Sequence, residues 1–238
     1  MDNSKKKKFI ENNKRISELL IENESILKDE GFKPPIINYS VANDERIKIP
    51  YGYIRKADEF NKEYSLENIV KDKNVRKNIS YALQLSDYYN FLLNRFNIWG
   101  SIRTLLYKQA FINIVSIIEA LMLESANRIN SFCKECERIG RCKNNISKHD
   151  RNNMKHAVEK LFNLKILTLT EQDKERLIQL YDYRNKVHIR LNAQNEFLDN
   201  KYNMDLYNEA IKILRKVNKL LLENAVPYYQ KCIGYVEK

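Results

Sequence analysis

Phe111-Ile112-Asn113-Ile114-Val115-Ser116-Ile117-Ile118-Glu119-Ala120-Leu121-Met122-Leu123 is the densest apolar run in the chain. Asn113, Ser116 and Glu119 interrupt it. The remaining residues cover most of a helix circumference, and a helix apolar nearly all round belongs at the centre of a bundle. Followed outward, the pattern predicts a long helix over 102–131, with Leu106, Ala110, Ile114, Ile117, Ile118, Leu121 and Met122 along its core. Its polar interruptions argue against a membrane span, and no apolar run in the sequence reads as long enough to be one.

The segments on either side read as further helices. Ser65 is expected to cap a helical pattern that runs to about Phe96, with Val75, Ile79, Ala82, Tyr89 and Leu92 at helical spacing. Trp99-Gly100 breaks it. A short helix over 151–163 carries Met154, Ala157, Val158 and Leu161 on one face. Thr168 or Thr170 caps a helix over 171–189, with Glu171 and Asp173 in the first turn, where they favour the helix dipole. The last helix, 204–226, has Tyr207, Ala210, Ile211, Leu214, Val217 and Leu221 on one stripe, and Pro227 is expected to stop it. Before all of these lies an arm. A charged helix over 4–30 with a narrow apolar stripe ends at Gly31, and Pro34-Pro35 enforce an extended path. The stretch 36–55 is the only strand-like one and reads as a small hairpin. The expected architecture is an all-α bundle of long antiparallel helices. It is divided into an N-terminal arm, 1–66, and a helical domain, 67–238, that carries a cysteine-bearing loop at 132–150.

Composition agrees. Only five Gly and four Pro occur in 238 residues, so turns are sparse and elements long. A hydrophobic share of 43% suits a folded core rather than disorder. The net charge of +11 fits either an anionic partner, whether nucleic acid or an anionic membrane surface, or a solvated basic surface. Lys5 to Lys8 are followed by polar residues and not by an apolar segment, so no signal peptide is read. The expected location is the cytoplasm, with no membrane partner and with reduced cysteines.

On the 171–189 helix the inward stripe Leu177, Leu180, Tyr181 continues into Arg184 and His188, with Asn185 beside them. Four residues apart on a helix, Arg184 and His188 share a face with roughly 6 Å between Cβ atoms. Arg offers a permanent charge and a planar fork that match a phosphate. His exchanges protons near neutrality. The pair suits RNA cleavage by the neighbouring 2′-hydroxyl, and it equally suits a basic helix end that satisfies its own carbonyls. One pair supplies half of the roles such cleavage needs; two pairs meeting across a dimer supply all of them.

The segment Tyr181-Asp182-Tyr183-Arg184-Asn185-Lys186-Val187-His188 resembles the signature of the HEPN superfamily of small helical bundles, in which Arg and a polar neighbour precede a His near the end of the penultimate helix. Ile114 to Leu121 also resembles an early helix of that family, and the resemblance spans roughly 67–226. It implies a metal-independent endoribonuclease of a phage-defence or toxin–antitoxin type, acting as a homodimer with both motifs in one cleft and needing no cofactor for catalysis. An antitoxin or defence-complex partner is implied as well. Arg184 is then expected to hold the scissile phosphate, His188 to act as acid or base, and Asn185 to orient a phosphate or the second motif. Three residues separate Arg184 from His188, fewer than is usual in the family, which keeps a non-catalytic RNA-binding or regulatory subunit open as the alternative.

The loop at 132–150 holds Cys133, Cys136, Cys142 and His149. Two readings stand side by side: a structural zinc on these four ligands, with Cys232 a distant substitute for one, or a loop of reduced thiols. His156 reads as a partly exposed structural residue. Tyr88-Tyr89 and Tyr228-Tyr229 suit either helix packing or base stacking.

Overall fold

The computed structural model describes residues 2–31, 46–49, 52–135, 153–186 and 201–230, with backbone only for 132–135. Helices account for 81% of these residues and none of them is in a strand, which places the chain in the all-α class. The chain divides into two compact units, Met1–Ile49 and Pro50–Lys238.

In the first unit α1 spans Asn3–Asp29. Gly31, at φ +86°, follows its C-cap and stops it in the left-handed conformation that glycine adopts without strain. The hairpin expected over 36–55 falls largely outside the described residues. Where that stretch is described, at 46–49 and 52–55, no strand forms.

The second unit begins with two short helices, α2 (Ala57–Glu63) and α3 (Leu66–Ile69). Helix α2 has too few residues to show a period. The Lys56 N–H donates to Glu59 Oε1 at 3.2 Å at its start, one half of a capping box, and Phe60, 1% exposed, fixes it to the core. The continuous helix expected from Leu66 to Phe96 is two helices. Val70 to Asp72 interrupt it, and the Asp72 carboxylate accepts the N–H groups of Asn74 (2.7 Å) and Val75 (3.1 Å) to open α4, Lys73–Arg95. Ser65 makes no side-chain cap; it sits at φ +46° in the tight turn between α2 and α3.

Helix α5, Gly100–Glu135, is the axis of the unit. It packs against α4, against α8 (Met204–Leu220), and against α6 (Met154–Asn163) and α7 (Glu171–Asn185). Ala110, Val115, Ile118, Leu121, Met122, Ala126 and Ile129 are fully buried along it. An 18-residue window within Gly100–Ser131 has a mean hydropathy of 1.4, so by length and composition alone this segment passes as a membrane-crossing helix, contrary to the reading that no run is long enough. In this fold 56% of that window is buried against the other helices. The faces expected on α6 and α8 are buried as the spacing implied, apart from Ile211, which is half-buried.

Pro227 does not stop the last helix. The turn Leu221–Ala225 is wound as a π-helix, with the Val226 N–H donating to Leu221 O, and α-helix resumes at Val226 and runs to Gln230. Proline has no N–H and its ring collides with the carbonyl four residues back; a wider turn just before it relieves both. Tyr229, on this extension, is 1% exposed and lies under the Arg128 guanidinium, 4.3 Å from its ring centre, so it packs and offers no face to a base.

Leu121 tests the central role of α5. Leu121→Ala should lower unfolding free energy in urea by about 2–5 kcal/mol without changing the helical circular-dichroism signature of the folded state. A loss below about 1 kcal/mol would show that α5 is not packed as described.

Candidate functional site

Helix α7 presents Leu177 and Leu180 to the core, and its next inward residue is Arg184. Thr170 caps its start, its hydroxyl oxygen accepting the Asp173 N–H at 3.1 Å. Three ion pairs fasten the helix along its length. Lys216 of α8 meets Asp173 at 2.6 Å, Arg176 grips both carboxylate oxygens of Glu209 on α8 at 2.6 Å each, and Lys155 of α6 meets Asp182 at 2.7 Å. The bidentate Arg176 guanidinium holds the Glu209 carboxyl below its ordinary range, against the opposing effect of partial burial.

At the end of α7, Arg184 Nη2 lies 3.2 Å from Glu119 Oε2 on α5, and Arg184 Nη1 donates to the Asn185 side-chain oxygen at 2.9 Å. The two charged side chains keep 32% and 19% of their exposure, so the pair is neither sealed in the core nor freely solvated. Lys201 sits over the Tyr183 ring at 3.8 Å, and the nearly buried Lys108 of α5 lies 5.6 Å from the Tyr202 ring. Tyr202 in turn packs on Phe111 and donates its hydroxyl to Tyr183 O at 3.5 Å, giving one of the last-turn carbonyls of α7 a partner.

The site is therefore held by residues on both sides of the helix end. Arg184 and Asn185 are joined through their side chains by the hydrogen bond between them. The helix closes at Asn185, with Lys186 as its cap, and not at 189. The one-turn geometry that would pair Arg184 with His188 is consequently not carried by α7, and His188 lies outside the described residues. Glu119 was not singled out as functional; its only signal was a carboxylate in the apolar run Phe111–Leu123. It is the group that fixes where the Arg184 fork points.

Of the loop ligands, Cys136, Cys142 and His149 lie outside the described residues, as does Cys232, and Cys133 is described in its backbone alone. Among the described residues no group of three or more His, Cys, Asp or Glu is arranged to hold a metal ion. His156 is half-buried on α6. Comparison with known proteins finds no matching family model, no similar curated protein and no similar solved structure.

Two outcomes follow from these contacts. In a double-mutant cycle of Glu119→Ala and Arg184→Ala, read by chemical denaturation, the coupling should be about 0.5–3 kcal/mol, with Arg184→Ala the costlier single change because it strands the more buried carboxylate, whereas Arg184 keeps its contact with Asn185. Zero coupling would mean the pair does not form in solution. The Glu209 carboxyl is depressed when folded, so its contribution is full above the ordinary glutamate value of 4.5 and is lost as pH falls through the lower folded value. Glu209→Gln should thus be less stable than the parent at pH 7, with the difference shrinking on acidification below pH 4.5; a difference independent of pH would dismiss the Arg176 clamp.

Proposed function

We propose that the chain is a metal-independent endoribonuclease of a phage-defence or toxin–antitoxin type, built on the HEPN plan, with a composite Arg/His site formed by two copies. The observation that carries this reading is the oriented Arg184. A guanidinium held at a helix end by Glu119 and Asn185, on a chain of net charge +11, is a preorganised phosphate contact on a basic protein. Asn185 steadies the fork, and His188, at the end of the same motif, is the proton carrier.

In the reaction the 2′-hydroxyl attacks the adjacent phosphorus and gives its proton to a base. The bond to the 5′-oxygen breaks, that oxygen takes a proton from an acid, and a 2′,3′-cyclic phosphate remains. One His188 serves as base and the other as acid, which is why two motifs are needed. A half-exposed stripe of α5 supports a second copy. Leu105, Gln109, Ile112 and Ser116 recur at helical spacing toward Glu119, the support of Arg184, and the stripe starts beside the exposed Trp99 and Ile102. Two chains meeting there share one cleft. RNA is the substrate, and an antitoxin or defence-complex partner would restrain the activity.

A second reading has an observation of its own. Glu119 neutralises much of the Arg184 charge, and only three residues separate Arg184 from His188. Both favour a subunit that binds RNA without cutting it. Incubation of the purified protein with RNA in EDTA separates the two. Cleavage to cyclic-phosphate ends is expected, with His188→Ala slower by about 10²–10⁴-fold and Arg184→Ala also impaired. RNA that is bound but left intact supports the second reading, and equal cleavage by parent and both variants sinks the composite site.

A further inference from the structure

Helix α1 buries none of its residues. Ile16, Leu19 and Ile26 are 53%, 51% and 54% exposed, and Phe9 is 39% exposed. Their spacing is that of a heptad seam: Phe9, Ile16 and Asn23 recur every seven residues, with Asn12, Leu19 and Ile26 in step between them. Leu20 and Leu27, both half-buried, lie to one side of this seam. An exposed seam is completed by a second helix, and the polar residues of α1 decide which helix and in which direction.

Charge is unevenly distributed along α1. Its first half carries Lys5 to Lys8, Lys14 and Arg15 against Glu11; its second half carries Glu18, Glu22, Glu24 and Asp29 against Lys28. Apart from the Asp2 cap, no acid stands at its first turn. This polarity opposes the one the helix dipole favours, so α1 alone is disfavoured by its own charges. An identical helix laid antiparallel beside it sets each basic half against an acidic one. A parallel copy brings the two lysine runs together.

The antiparallel register follows residue by residue. With Ile16 facing Leu19 of a second copy, Phe9 faces Ile26 and Asn12 faces Asn23, so apolar meets apolar and the carboxamides meet each other. A slip by one heptad sets Asn12 against Ile16 and leaves a polar group without its partner, which is how a seam Asn specifies register. Beside the seam the same alignment sets Arg15 against Glu22 and Lys8 against Asp29, each twice by symmetry. None of these four makes an ion pair among the described residues. In a parallel pair Arg15 and Glu22 lie beside Leu20 and Leu27 instead, and no opposite charges meet there.

We propose that α1 is a dimerisation arm that pairs antiparallel with α1 of a second copy of this chain. The contact is separate from the α5 stripe and does not rest on RNA cleavage. The acidic second half and the two Asn in the seam disfavour an anionic membrane as the occupant.

Zero-length carbodiimide cross-linking of the full chain, mixed from nitrogen-14 and nitrogen-15 copies, tests the proposal. Lys8 and Asp29 lie about 32 Å apart along one α-helix, so a link between them joins two copies, and mixed-isotope peptides identify it. Such links are expected in the parent. Arg15→Glu sets like charges against each other twice and should lower their yield at least about tenfold. Adding Glu22→Arg restores opposite charges with the signs exchanged, and the yield should return; a parallel pair gives no such rescue. No link between copies, links that join like ends, a yield unmoved by Arg15→Glu or not returned by the second change, or capture of the arm by phosphatidylglycerol vesicles in place of a second copy would overturn it.

Discussion

Helix α5 has so much apolar surface that no single neighbour can cover it. Each fully buried Leu or Ile side chain is worth about 1.5–3 kcal/mol relative to exposure, and α5 buries Ile114, Ile117, Ile118, Leu121 and Ile129. The remaining helices are arranged to meet that demand. Long α4 and α8 cover two sides, α6 and α7 a third, and α3 touches it beside them. Small residues set the approach: Ala110 and Ala126 on α5, Ala157 on α6 and Ala210 on α8 are fully buried, so backbones come close where these meet. A half-exposed strip runs from Leu105 past Glu119 to Ser131, and the site for which a function is proposed lies along it.

Apolar burial is non-directional, so it does not by itself fix how one helix is rotated or slid against another. Two polar interruptions of the α5 core supply direction. The Asn113 amide donates to Ala82 O at 2.7 Å and to the Ser86 hydroxyl at 2.8 Å, which sets α4 against α5. Glu119 does the same for the end of α7 through Arg184. A slip of either helix leaves a half-buried polar group without its partner, and that costs more than the packing lost by a small slide.

These polar contacts also mark how far the sequence could be read. The long helices were legible for different reasons: α5 by its dense apolar run, α6 and α8 by an apolar stripe, and α7 by its threonine cap and first-turn acids, although its end was read four residues too late. What was not legible lacked a period or depended on the fold. Helix α2 rests on Phe60 and on the Glu59 side chain that accepts the Lys56 N–H. The break before α4 rests on Asp72, an ordinary residue until its carboxylate is seen accepting two backbone N–H groups. Pro227 read as a stop because the π turn that accommodates it leaves no trace in composition. At the site, Arg184 and Asn185 stood out by type and spacing, whereas Glu119 did not, since its partner is distant in sequence and the two meet only after α7 is laid on α5.

The Arg184–Glu119 contact bears differently on the two roles open to that arginine. A guanidinium kept only to finish a helix would need the terminal carbonyls of α7 and no carboxylate from α5. One kept only to attract phosphate would be weakened by a carboxylate at 3.2 Å. Both observations are reconciled if Glu119 orients the fork and does not consume it. A guanidinium has five N–H donors, the two contacts described engage one terminal nitrogen each, and the side chain retains 32% exposure. Donors remain for a second anion, held in one direction by the first. If the proposed function holds, that geometry selects a phosphate placed against the half-exposed strip of α5 over loose attraction of any polyanion, because an arginine fixed at one end of its fork discriminates by position as well as by charge.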